Sequence, residues 1–176
     1  FTVGRDGVCR ITYEFLRDLG VDVNNLSSSS INIYGNHFGQ LPYANSVERP
    51  TDLLLNAIQV NDGGDGVFGP GDNLIFYVTG PHRWELANGR FSHTKNAYSD
   101  SASYFVGIGV DPPKRVTPAQ LSQDPSTTTV TTFNDRQFID RDLVNFLKSG
   151  RTWYGETYDL TTTYNYAFDT PNLVSS

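Results

Sequence analysis

Thiol chemistry in this chain would have to be built from one cysteine, Cys9, and three histidines, His37, His82 and His93. A catalytic thiol must be held as thiolate by a neighbouring His, usually with a third group orienting the ring. Cys9 sits in GVCRITYEF between Val8 and Ile11, just before a helical pattern. There it reads as a small buried hydrophobe in a strand, with an active thiol enzyme centred on Cys9 as the weaker alternative. The three histidines lack the close spacing of a zinc site and read as loop residues.

A second constellation is NDGGDGVFGPGD, Asn61 to Asp72. Calcium loops of the EF-hand type place oxygen donors at their first, third, fifth and twelfth positions and Gly at the sixth. Aligned on Gly66, the stretch offers Asn61, Asp65 and Asp72, with Gly63 at the third position and Asp62 beside the first. Asp72 is one methylene shorter than the usual bidentate Glu. Two readings stay open: a Gly-rich connection between strands whose Asp side chains bond their own backbone, or a turn stabilised by calcium on Asp62, Asp65 and Asp72. No other cofactor is expected.

A third is YVTGPHRWEL, which places His82 and Trp84 just after a strand pattern. Such a Trp lids the end of a β core, or stacks on sugar rings in a carbohydrate-binding module. Phosphate-binding glycine loops, serine nucleophile elbows and metal-binding His motifs are missing from the sequence. No local pattern marks the paired carboxylates of a glycosidase. The residue chemistry therefore describes a non-catalytic β domain.

The last constellation is SGRTWYGETYD, Ser149 to Asp159, which crowds Arg151, Trp153, Tyr154 and Glu156 into a Gly-punctuated segment. Its position decides its reading. Ile139, Leu143, Phe146 and Leu147 fall at the spacing of one buried helical stripe. Asn134 and Gln137 make a capping box, and Gly150 a left-handed stop. The spacing thus predicts a long helix over Asp135 to Lys148, and the stretch beyond it becomes a domain junction. Trp153 and Tyr154 are expected to bury against a neighbouring surface, with Arg151 and Glu156 forming charge-assisted hydrogen bonds at its edge.

The elements that must position these groups are mostly strands. Aromatic residues make up 13% of the 176 residues and Met is absent, a bias toward half-buried pleated surfaces. Strand patterns cover Ile31 to Gly35, Leu54 to Val60, Asn73 to Thr79, Ser103 to Val110 and Thr127 to Phe133. Tyr104, Val106, Ile108 and Val110 alternate onto one face. Thr12 to Leu19 reads as a two-turn helix capped by Thr12 and stopped by Gly20. The predicted fold is a mainly β, β-sandwich-like domain with one long and one short α-helix. Tyr164, Tyr166 and Phe168 alternate as the first strand of a following β unit. The expected division is an N-terminal β-rich domain over 1–150 and the junction with a truncated β unit over 151–176.

A net charge of −6 and an isoelectric point near 4.9 repel phosphate backbones, so nucleic acid is not an expected partner. No run of about 18 apolar residues is present for a membrane-spanning helix. The first residue is Phe1 rather than Met, which predicts a processed chain.

Five segments occur in order: GVCRITYEFLRDLGVDV, INIYGNHFGQLPYAN, DGVFGPGDNLIFYVTGPHRW, NAYSDSASYFVGIG and LVNFLKSGRTWYGE. Together, over about Gly7 to Phe168, they resemble the N-terminal region of the type IX secretion system sortases of Bacteroidota. These are surface cysteine peptidases with a gingipain-type catalytic domain. The resemblance implies a cell-surface, outer-membrane-associated parent, exported by a signal peptide not present in this chain. Such a parent removes the C-terminal signal of secreted cargo and joins the new carboxyl end to anionic lipopolysaccharide. It implies no catalytic residue here, because the family's Cys and His lie in the later peptidase domain and Cys9 does not match the nucleophile. The implied partners are the downstream peptidase domain and other type IX secretion subunits. A cell-surface carbohydrate-binding or adhesion module using Trp84 is the alternative.

Overall fold

The structure, a computed structural model, describes residues 1–36, 39–120, 125–133 and 135–174. It divides into two compact units, Phe1–Pro118 and Ala119–Ser176. All the regular elements among the described residues fall in the first. They are β1 (Thr2–Val3), β2 (Gly7–Thr12), α1 (Tyr13–Asp18), a 3-10 turn (Ser28–Ser30), β3 (Ile31–Tyr34), β4 (Leu55–Asn56), β5 (Gln59–Asn61), β6 (Asn73–Val78), β7 (Arg83–Ala87), β8 (Arg90–Thr94), β9 (Ala102–Ser103) and β10 (Phe105–Ile108). Every strand pairing between these elements is antiparallel, in sheets ordered β1-β9, β10-β3-β4, β2-β6-β5 and β7-β8.

The pairing of β2 with β6 shows how the sequence sets the register. Cys9 lies opposite Phe76 and Ile11 opposite Leu74, while Val8 and Tyr77 are paired on the other face. Ile11, Leu74 and Phe76 are buried; Val8 and Tyr77 are exposed. A slip of one residue would send every apolar side chain to the wrong side. The same alternation in β10 works only near its start. Tyr104 is fully buried and Val106 packs on the core, but Ile108 and Val110 are exposed.

Helix α1 follows directly from β2. The Thr12 hydroxyl accepts from the Phe15 N–H at 3.2 Å, and Leu16 is inserted into the core. Gly20 leaves the helix at φ +88°, and the Gly20 and Val21 N–H groups return to the Arg17 and Leu16 carbonyls. That is the predicted left-handed exit.

The core joins Ile11, Leu16, Ile31, Ile33, Ile58, Phe68, Leu74, Phe76 and Tyr104 among others. Tyr104 is buried because its polar end is satisfied: its hydroxyl accepts from the Thr79 N–H at 2.8 Å and donates to the Thr79 carbonyl at 3.1 Å. Its ring lies against Gly35, where a Cβ atom would clash with it. Buried Asn56 donates to the carbonyls of Gly35 and Leu54, tying β4 to the end of β3.

A mainly β chain is what forms, but its sheets hold only two or three strands each, short of the layers of a sandwich. The long helix over Asp135 to Lys148 does not form: the described residues of that stretch carry no helix, and the proposed cap Asn134 lies outside them. The physical reason is that the stripe has nothing to pack against. Ile139, Leu143, Phe146 and Leu147 are 41%, 53%, 64% and 79% exposed. A helix of this length without tertiary burial is marginal in water. Thr127 to Phe133 and Tyr164 to Phe168 form no strand either, since no neighbouring segment offers them a ladder. Leu54 to Val60 is split, because Ile58 turns to pair with Arg115.

Candidate functional site

Where the sequence suggested a helix end, the second unit has a closed loop. Val144 and Tyr154 exchange both backbone hydrogen bonds, at 2.9 and 3.0 Å, and the Leu143 N–H also donates to the Tyr154 carbonyl. The chain between them turns at Lys148 (φ +50°) and Gly150 (φ +69°). Asn145 braces the turn, accepting from the Lys148 N–H through its carbonyl and from the Ser149 N–H through its side chain. Gly150 thus keeps its left-handed conformation while closing a loop rather than a helix.

The loop delivers Glu156 to a small polar anchor. Its Oε1 accepts from the Arg141 guanidinium at 2.9 Å, and its side chain is only 11% exposed. The Tyr166 hydroxyl and then Arg141 hold the Glu156 carboxyl below its ordinary range. In return, donation to Glu156 pushes the Tyr166 phenol up to about 12. These groups border an open cleft of about 440 Å³, walled by Phe138, Ile139 and Phe168. Gln137 donates to the Asp169 carbonyl and holds the two ends of the wall together. Trp153 and Tyr154 are 40% and 48% exposed, with Tyr154 5.3 Å from the Phe146 ring. The Arg151 N–H donates to the Ser149 hydroxyl. Sequence reasoning missed Arg141 and Tyr166, whose separation from Glu156 carries no local signal.

In the Asn61 to Asp72 loop each carboxylate bonds a nearby backbone N–H. Asp62 accepts from Gly64 at 3.0 Å, Asp65 from Val67 at 2.9 Å and Asp72 from Gly69 at 2.7 Å. Asn61 donates across the strand pair to Asn73. The described residues bring no three His, Cys, Asp or Glu side chains together as a metal-holding group.

Cys9 packs against the core, and burial pushes its thiol up, away from the thiolate that nucleophilic catalysis needs. His82 accepts from the Asn96 N–H through Nδ1, and its Nε2 lies 3.8 Å from Asp100. His37 is outside the described residues. Trp84, on β7, has its ring 4.9 Å from that of His93 and 6.4 Å from that of Phe91. Among the described residues no helix is long and apolar enough to cross a membrane.

No family model matches the chain, and no curated protein matches it. Among solved structures it is similar to dimeric latent PorU from Porphyromonas gingivalis, with 27% sequence identity and a TM-score of 0.49. The match covers 68% of this chain and 10% of that one, so the likeness spans about a tenth of that protein's length.

Proposed function

We propose that this chain is a non-catalytic N-terminal region of a type IX secretion sortase. In this reading it supports or positions the downstream peptidase domain and meets other secretion subunits at the cell surface. The parent would remove the C-terminal signal of cargo and attach the cargo to anionic lipopolysaccharide. The order of the five segments from Gly7 to Glu156 supports the family reading. The placement of Cys9 supports a non-catalytic role, since a thiol pushed up by burial is poorly suited to attack.

The observation that carries the supporting role is the exposure of Phe146, Leu147, Trp153 and Tyr154 around one loop. Exposed aromatic and aliphatic groups beside a satisfied charge pair suit a surface that another domain covers. Calcium on Asp62, Asp65 and Asp72 remains part of the proposal as a stabiliser of the β5–β6 loop; a melting temperature indifferent to chelator removes it.

Deletion of these residues from the parent protein tests the role. Cargo processing should be lost while the peptidase domain keeps its folded near-ultraviolet spectrum. Unchanged processing overturns the reading. Trp153→Ala in the parent should loosen the junction and raise its susceptibility to proteolysis there.

A further inference from the structure

Strand β5 is the outer strand of its sheet, with β6 along one edge. Just before it, Ile58 directs its backbone to the other side. Its N–H donates to the Lys114 carbonyl at 3.3 Å, and its carbonyl accepts from the Val116 N–H at 3.0 Å. This is one rung of a parallel ladder. Backbone groups on one edge of a strand recur every second residue, so the next outward pair belongs to Val60. To continue the ladder, the Val60 N–H would turn to the Val116 carbonyl and the Val60 carbonyl would need an N–H two residues past Val116. That residue is Pro118, which has none. Among the described residues the outward N–H and carbonyl of Val60 have no backbone partner.

The vacant rung faces an open cleft of about 470 Å³ lined by Ser28, Gln59, Val60, Asp62, Arg115 and Val116. Arg115 spans it. The guanidinium donates to the carbonyls of Ser28 at 2.8 Å, Ser29 at 3.2 Å and Lys114 at 3.2 Å. No carboxylate among the described residues pairs with it. Carbonyls satisfy its donors but not its charge, which leaves the cation short of a true counter-ion. Asp62, which also lines the cleft, accepts from the Gly64 N–H.

We propose that this cleft docks an extended peptide segment of a partner chain. The segment adds beside β5 as an extra strand, bonding the N–H and carbonyl of Val60, and one acidic side chain pairs with Arg115. An open strand edge supplies affinity through backbone bonds, and the neighbouring cation selects the side chain. A small anion would satisfy Arg115 alone and leave Val60 unmet.

The test uses the full 176-residue chain, nitrogen-labelled, titrated with acetyl-Thr-Val-Glu-Val-Thr-amide and with its Gln counterpart. The Glu peptide is expected to shift the amide signals of Gln59, Val60, Arg115 and Val116 and to bind about tenfold more tightly than the Gln peptide, the scale of one charge-assisted pair. Arg115→Gln should erase that preference, and Arg115→Lys should keep part of it. Val60→Pro removes the outward N–H, which an edge strand tolerates, and should abolish binding of both peptides while Val60→Ala, which trims the core-packed side chain alone, keeps it. Absence of shifts, equal affinity for the two peptides, or a preference that survives Arg115→Gln overturns the proposal. So do equal shifts produced by acetate alone, or by raising protein concentration without peptide.

Discussion

Among the described residues, twelve hydrophobic side chains of Phe1–Pro118 are buried, whereas no residue of Ala119–Ser176 is. The second unit does not lack the side chains for a core. Phe138, Ile139, Leu143, Phe146, Leu147, Trp153, Tyr154, Leu160 and Phe168 all stand at least 40% exposed. What it lacks is pairing. The first unit brings distant segments together through ladders such as β2 with β6 and β3 with β10, so each apolar face meets another. Among the described residues the second shows the bridge of Val144 with Tyr154 and the anchor of Glu156 with Arg141 and Tyr166. An apolar stripe becomes a core only where the chain supplies the opposing surface.

The sharpest way to break this comparison is a truncation made once in each unit. Phe68→Ala removes a fully buried ring and should cost about 3–5 kcal/mol in urea unfolding. Leu160→Ala, at a side chain 97% exposed, should stay within about 0.5 kcal/mol. Equal costs would mean that the two units are not differently packed.

A smaller effect tests packing density in the first unit. Gly35→Ala puts a methyl group against the Tyr104 ring, and neither can move without disturbing the core. A loss of about 1–3 kcal/mol is expected, read from the same unfolding curves. Thr12→Ala removes the hydroxyl that caps α1 and should cost about 1 kcal/mol. A neutral result there would show that α1 is held by Leu16 burial alone.

The gentlest test is pH, and it concerns the second unit. Tyr166 is raised from 10.0 to about 12 by donating to Glu156. Its contribution is therefore complete below its ordinary value and is lost as pH climbs through about 12. Glu156 is lowered from 4.5, so its contribution is present above 4.5 and is lost as pH falls through the depressed value. The anchor should hold unchanged at neutral pH. Glu156→Gln should bring the Tyr166 titration, followed through its ring resonances, back toward 10.0. A Tyr166 that titrates identically in that variant would mean the two groups do not meet.

Much of the first unit was legible because local rules and tertiary context agree there. Thr12 and Gly20 bracket α1 as their chemistry requires, and the alternation of Asn73 to Val78 matches its buried face, whereas β3 buries Asn32 along with Ile31 and Ile33. Periodicity misled at Ile139 to Leu147, because an i, i+4, i+7, i+8 stripe reports a helix only when a surface receives it. The same blindness hid the partners of Glu156. Arg141 lies 15 residues away and Tyr166 10, and nothing in the intervening residues signals either pairing. In the β5 cleft the informative residue was Pro118, whose missing N–H has meaning only once Val116 is known to pair with Ile58.

Hydrogen exchange of the whole chain tests the central contrast most directly. The amides of Ile11, Ile33 and Phe76 should exchange only through global unfolding. Those of Leu143, Val144 and Tyr154, which rest on a single bridge, should exchange orders of magnitude faster through local opening. Equal protection of the two sets would contradict the account, because the second unit would then hold a core of its own.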